Sequence, residues 1–449
     1  MMQRAPAFGA WQGIPGVDHT IFAVDKREPY QRDLGRIIHS ASFRRLQAKT
    51  QVLGTGEGDF HRTRLTHTLE VGSLGRGLVW AFEKNCPEKF RPFLPSSELI
   101  EAVCYAHDLG HPPFGHDGER ALHRKMAQWG GFEGNAQTIR VLTRLEKYYR
   151  GQGIRPTRRL LLGVLKYPVA YNDFEIEKYL REPPKCYYAS EAGVIESALS
   201  VFDQGDIERF RSRSGTGRAQ YKTFDCSIME IADDIAYGIH DLEDGVARGL
   251  LRKDETHDEF VSIFREADIR AIREFSVEQI VDKLFNRDSC ERKHAISLLV
   301  SLFMVSAEVS KLNLFASEYL DIQAVLPNNL QHLLRSLKDG LVYKYIIKRR
   351  EVQGLEYKGE QIVSALFDAL AERPRDLIGD SGLDFPDSDV SRLIKSAEAD
   401  GWQKALFCSD RDRVARAIAD FIAGMTNPYA EKFHRRLFEP GFGSSTDDL

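Results

Sequence analysis

The chain has 449 residues, 42% apolar and 29% charged, with 62 Lys and Arg against 66 Asp and Glu for a net charge of −4. That length is enough for a large buried core, and the near balance of charge excludes a whole-surface attraction to nucleic acid or membrane. Anion binding must then come from local clusters such as Arg44-Arg45, Arg62 with Arg64, and Arg158-Arg159.

The six cysteines are scattered with no C-x-x-C pair, which argues against a zinc ribbon or a disulfide framework and fits a reducing compartment. Neither end carries a basic-then-apolar leader, and the most apolar run, Ala295 to Val305, is short for a bilayer and broken by two serines. The expectation is a cytoplasmic protein with no membrane partner.

In chain order, the first sixteen residues read as an irregular Pro- and Gly-rich arm. From Arg32 to Leu46 the apolar spacing is helical, and Gln51 stands just before a loop opened by Gly54, Gly56 and Gly58. Arg64 to Trp80 is a helix in which His67 shares one face with Val71, Leu74 and Leu78. Glu98 to Leu109 is another, ending in His107-Asp108, and Gly110 with Pro112-Pro113 stops it. His111, His116 and Glu119 fall on or just past the turn that follows, with His123 read as structural. A glycine-rich loop from Gly130 to Asn135 precedes a helix expected over Ala136–Tyr149. The apolar Leu160–Leu165 then delivers Lys166 and Tyr167.

Arg211 to Gln220 reads as a polar, mobile loop. From Cys226 an apolar helical stripe returns, with Asp233, Tyr237 and Asp241 spaced by four on its other side. Helices are expected again over Phe275–Leu312, Leu330–Leu341, Gln361–Ala371 and Asp410–Met425, with a loop from Gly379 to Asp389. The fold class is all-α, with an arm over 1–31, a core over 32–250 and a C-terminal helical region over 251–449.

His-Asp occurs four times, at His107, His116, His240 and His257, so the dipeptide alone carries no information. Context selects His107-Asp108, which closes an apolar helix, follows an inward His67 and precedes a third helix with an acid. Two imidazoles and two carboxylates from three helices would make a mixed nitrogen and oxygen site for a divalent metal. Such a site suits hydrolysis of a phosphoester.

The longer strings narrow this reading. Phe43-Arg-Arg-Leu-Gln-Ala-Lys-Thr-Gln51, Arg64-Leu-Thr-His-Thr-Leu-Glu-Val71, Ala106 to Glu119, Gly131-Phe-Glu-Gly-Asn-Ala-Gln137 and Asp420 to Tyr429 together resemble the deoxyguanosine triphosphate triphosphohydrolase family of HD-domain phosphohydrolases. The resemblance implies an HD helical core with added C-terminal helices. It implies metal ligands His67, His107, Asp108 and Asp233, and release of inorganic triphosphate from a deoxynucleoside triphosphate. It also implies Mn²⁺ or Mg²⁺, with Fe, Co or Ni compatible.

By the same resemblance Gln51 meets the 3′-hydroxyl, Tyr237 and Asp241 meet the sugar, and Arg64, Lys166, Tyr167 and His111 meet phosphate. His116 and Glu119 form the acid–base pair. Asp233 is preferred to Asp234 because Tyr237 and Asp241 follow it at the family's spacing. A homo-oligomer, such as a hexamer or other even assembly, and a dNTP or single-stranded DNA effector are implied as well. Asn427-Pro428 departs from the Asp-Arg common in relatives. Two alternatives remain open: an HD phosphohydrolase for another nucleotide, and a nucleotide- or DNA-responsive regulatory protein.

Overall fold

The computed structural model describes residues 26–51, 62–149, 151–215, 217–267, 269, 272, 274–374, 377 and 411–444. The expected N-terminal arm (apart from residues 26–31), the Gly54–Gly58 loop and the Gly379–Asp389 loop lie outside the described residues.

Helices account for almost all regular structure. The first, α1 (Pro29–Ile38), starts before Arg32 because Pro29 fits a first-turn position and Glu28 and Gln31 form a capping box. Ser40 then accepts from the Phe43 amide and restarts the chain as α2 (Ala41–Arg45). Thr63 caps α3 (Arg64–Asn85) and Ser96 caps α4 (Ser97–Ala106). Next come α5 (Gly115–Met126), α6 (Gly134–Arg140), α7 (Arg158–Val164), α8 (Ala192–Leu199) and α9 (Gln204–Phe210).

The helix expected over Ala136–Tyr149 runs only to Leu145, its end widened into a π turn over Val141–Leu145. The Arg211–Gln220 stretch folds back on itself through a bridge between Arg213 and Ala219. Then α10 (Phe224–Ile235) passes through a π turn, Ala236–His240, into α11 (Asp241–Ala247).

The C-terminal half holds α12 (Lys253–Glu266), α13 (Val277–Leu284) and α14 (Ser289–Ser306). The helical pattern expected over Phe275–Leu312 is thus carried by two helices, α13 and α14. Asp288 caps the second by accepting from the Cys290 amide, and the chain is extended from Ala307. There β1 (Glu308–Lys311) pairs antiparallel with β2 (Ile322–Val325), Glu308 opposite Val325, flanking the short α15 (Glu318–Asp321). Then follow α16 (Asn328–Arg335), a π stretch over Ser336–Ile347, α17 (Arg350–Glu372), α18 (Arg411–Ala423) and α19 (Asn427–Phe438). Among the described residues no helix is long and apolar enough to cross a membrane.

Among the described residues a small apolar cluster around Val169, Tyr171 and Phe174 accompanies two main cores. The larger joins α3, α4 and α10, where Val71, Leu78, Leu99, Val103, Ile228 and Ile235 are fully buried, each worth about 1.5–3 kcal/mol of burial. The smaller joins α5 to α17, α18 and α19 through Leu122, Val363, Leu366, Ile418, Ile422 and Phe433.

Candidate active site

The sequence makes α3 and α4 apolar on the faces they turn to each other and to α10, and each face ends in a polar residue at the same level. Three helices thereby deliver His67, His107 with Asp108, and Asp233 to one point. Ligand atoms of His67, His107 and Asp108 all lie within 4.8 Å of one another, and the three residues are buried. Asp233 Oδ1 completes the group, 3.1 Å from His67 Nε2 and 3.5 Å from His107 Nε2. Asp234 turns away and accepts from Lys338 Nζ at 2.8 Å, so the neighbour preferred by spacing is the one that faces the histidines.

The supports around this group fix its chemistry. His107 Nδ1 is 2.6 Å from the Cys104 carbonyl oxygen, which holds the proton on Nδ1 and leaves the Nε2 lone pair for a ligand. That buried Nε2 has no hydrogen-bond partner in the protein. Burial opposes charge on His107, but Asp108 and Asp233 outweigh it and push its pKa up. A field that favours a proton between these groups favours a divalent cation in the same place. The residues therefore fit a divalent metal.

Asp108 divides its oxygens. Arg64 Nη1 donates to Oδ2 at 2.8 Å, and Oδ1 lies 3.0 Å from His111 Nδ1. Burial again opposes ionisation, yet His111, His107 and Arg64 hold this carboxyl well below the usual range. Asp233 is held low in the same way, chiefly by Lys166, whose Nζ donates to Oδ2 at 3.2 Å. Tyr167, next in the chain, carries the Lys222 amine over its ring at 4.4 Å.

The turn after α4 is shaped by close packing. A Cβ on Gly110 would stand 2.2 Å from the Thr138 backbone nitrogen and 2.3 Å from the Gly134 carbonyl oxygen, so this position admits only glycine. The turn buries His111 and opens α5 at Phe114 and Gly115, both with positive φ. His116, 65% exposed, then sits with Nδ1 3.2 Å from Glu119 Oε2, the two sharing a helix face.

Glu119 is buried, and its Oε1 accepts from the Gly134 amide at 2.7 Å. Burial works against its charge, while Lys185, His116 and His111 lower its pKa well below the ordinary value. His111 and His116 ring centroids are 6.0 Å apart, which links the pair to the Asp108 side of the site. His123 is a satisfied core residue, with Nε2 2.7 Å from the Tyr179 carbonyl and Nδ1 accepting from the Phe132 amide.

A third group lies along the helix beyond Asp233. Over eight residues an α-helix would carry Asp241 about 80° away from Asp233. The π turn at Ala236–His240 takes up an extra residue and reduces that rotation. Asp241 is buried with Oδ2 unpartnered, and burial followed by repulsion from Asp244 raises its carboxyl pKa well above normal. Burial likewise raises the Tyr237 hydroxyl. Gln51 Oε1 is buried without a partner, and its backbone carbonyl approaches the start of α5.

Sequence reasoning missed Lys185, Lys49 and the acidic partners of Arg62, a residue it offered for anion binding. Lys185 gives no pattern in its Pro-rich surroundings, yet its Nζ lies 2.7 Å from Glu133 Oε1 and 3.8 Å from Glu119 Oε1. Arg62 binds Glu70, Glu243 and Asp244 and so pins α11 beside α3. Backbone partners such as the Cys104 carbonyl and the Gly134 amide leave no mark in residue identities.

A largely buried cluster of two histidines and two carboxylates at the junction of three helices, with cationic side chains on its oxygens, is an arrangement that fits the metal-dependent phosphohydrolases of the HD class. Residues 64–164 match the HD domain, and residues 396–436 match the phosphohydrolase-associated domain. The chain is 40% identical over 442 residues to a deoxyguanosinetriphosphate triphosphohydrolase-like protein of Shewanella woodyi, covering 94% of both chains. It is 41% identical to that of Shewanella loihica, covering 94% of this chain and 95% of the relative. The chain belongs to this family of deoxyguanosinetriphosphate triphosphohydrolase-like proteins.

Proposed function

We propose that the chain hydrolyses deoxynucleoside triphosphates, dGTP among them, to the deoxynucleoside and inorganic triphosphate. The observation that carries this reading is the run of unpartnered buried polar atoms, Gln51 Oε1 and Asp241 Oδ2, beside the metal-type cluster. A site for phosphate alone would not need them. A sugar hydroxyl supplies a missing partner, Tyr237 stands four residues before Asp241 on the same helical run, and the preference for a sugar without a 2′-hydroxyl is what the family resemblance implies.

Bound by His67, His107, Asp108 and Asp233, a divalent ion such as Mn²⁺ or Mg²⁺ would acidify water and neutralise phosphoryl charge. Arg64, Lys166, Tyr167 and His111 hold the triphosphate and turn its α-phosphorus towards attack. Water oxygen adds to that phosphorus, the bond to the 5′-oxygen breaks, and the 5′-oxygen leaves with a proton. His116, oriented by Glu119 through Nδ1, handles a proton at Nε2. Product analysis with Mn²⁺ and each of the four dNTPs tests the assignment. Triphosphate is the expected product, and pyrophosphate or orthophosphate would overturn it.

A second feature supports an anionic effector, a dNTP or single-stranded DNA. A cleft of about 1930 Å³ is lined by Arg45, Lys147, Arg413, Trp129 and Tyr149 and by none of the expected site residues. Hydrolysis measured with and without a second dNTP or an oligonucleotide checks it, and a rate indifferent to both would refute it. A cytoplasmic homo-oligomer of even order completes the proposal.

A further inference from the structure

The turn that carries His111 and His116 is fastened from the far end of the chain. Asn427, marked in the sequence only as a departure from relatives, is buried with both ends of its amide engaged. Its Oδ1 accepts from the Phe114 amide at 3.1 Å, and its Nδ2 donates to Thr50 Oγ1. Phe114 is the residue immediately before α5 and has φ +64. A bulky side chain in that left-handed conformation is strained and persists only where surroundings enforce it.

The surroundings that enforce it are C-terminal. Gly359 of α17 lies flush against Phe114; a Cβ there would fall 2.5 Å from the Phe114 Cβ. Thr50, the other partner of Asn427, precedes Gln51 and bridges Thr63, the cap of the helix that bears His67. Lys49 adds a parallel tie, donating from Nζ to the His111 carbonyl at 2.6 Å and to the Ala423 carbonyl at 2.8 Å. The Ala423–Asn427 segment thus reaches both the Lys49–Gln51 segment and the His111–Phe114 turn. Asn427 is not used for its own helix, because Thr426 caps α19 by accepting from the Tyr429 amide.

We infer that Asn427 is a positioning residue, which sets the turn that aims His116 against the segment that presents Gln51. It touches neither the metal cluster nor the groups expected to bind phosphate. The inference rests on the reading of His116 as the proton-handling group. An aspartate at this place could accept from the Phe114 amide and from the Thr50 hydroxyl, so it would preserve the clamp that alanine removes.

The experiment is steady-state dNTP hydrolysis with Mn²⁺ by the full chain, comparing wild type with Asn427→Ala, Asn427→Asp and Thr50→Val. In Asn427→Ala, kcat should fall about 10- to 100-fold, the scale of a small misplacement of a catalytic group, while KM stays near wild type. Asn427→Asp should recover most of the loss, and Thr50→Val should lower kcat less than alanine, again at unchanged KM. A folded Asn427→Ala with wild-type kcat, or a loss that aspartate does not rescue, would overturn the inference. Should Asn427→Ala not fold, Thr50→Val decides: normal kcat there removes the clamp. If the wild type releases no triphosphate from any dNTP, the reaction assignment has failed instead. The clamp is then read from hydrogen exchange at the Phe114 amide, which Thr50→Val should accelerate and which unchanged protection would refute.

Discussion

His107 Nδ1 lies 2.6 Å from the carbonyl oxygen of Cys104, three residues earlier at the end of the same helix. This bond makes the helix terminus itself the device that selects the histidine tautomer, and it turns Nε2 towards Asp108 and Asp233.

The first prediction concerns that ring. Replacing His107 or Asp108 by alanine should weaken Mn²⁺ binding by about 100-fold or more, beyond the 10- to 100-fold cost of losing a mere supporting residue. Titration calorimetry on metal-stripped protein reads it, and wild-type affinity in either variant would remove that residue from the ligand set.

The exposed His116 and buried Glu119 should separate binding from turnover. His116→Ala and Glu119→Gln are expected to retain Mn²⁺ while kcat drops about 100- to 10,000-fold, the range for losing a positioned acid or base. A near-normal rate in His116→Ala would exclude it from proton handling.

Stability should carry a pH signature from the buried Asp33. Burial raises its carboxyl pKa from 3.8 to about 6, only partly offset by hydrogen bonds from Thr157. Between those values the folded chain holds a proton that the unfolded chain has released. The group's contribution is therefore present below about pH 4 and lost as pH rises through about 6, a swing on the order of 3 kcal/mol. Asp33→Asn should then melt higher than wild type at pH 7 and show no advantage at pH 4. Equal melting curves at both pH values would contradict this.

The fourth prediction is about a buried tie between the two halves of the chain. Arg159 Nε donates to Asp225 Oδ2 at 2.7 Å, and the Tyr319 hydroxyl donates to the same oxygen at 2.8 Å. Asp225→Ala leaves the guanidinium uncompensated and should cost about 3–5 kcal/mol. Tyr319→Phe removes one hydrogen bond to a charged group and should cost about 1.5–3 kcal/mol. Urea unfolding measures both, and a larger loss in Tyr319→Phe than in Asp225→Ala would contradict the account.

Legibility in the sequence followed periodicity. His67 and His107 were readable because each sits on a long apolar stripe, and Gly110 with the two prolines marked the turn. The strands β1 and β2 were not readable: Glu308–Lys311 is too short to show alternation after an apolar helix. Asp233, Tyr237 and Asp241 were legible as one side of a helix from their spacing of four, while the π turn that brings Asp241 back towards Asp233 has no residue signature. Lys185 and Asn427 act across 66 and 313 residues of chain from Glu119 and Phe114 respectively. No local pattern encodes such distances.

The division of the apolar interior into two main cores has a consequence for durability. The helices α3, α4 and α10, which carry the proposed ligands, belong to the larger core, whereas His116 and Glu119 ride on α5, packed in the smaller one with α17, α18 and α19. In the proposed mechanism, a partial opening that releases only the smaller core would leave the ion pocket assembled but strip it of its proton carrier. Heat or mild denaturant should therefore silence the chain before it surrenders its metal, with amides of α5 and α17 exchanging ahead of those in α3 and α4; simultaneous exchange would disprove the split. The proposed mechanism thus has a fuse, and it lies in the helices furthest along the chain.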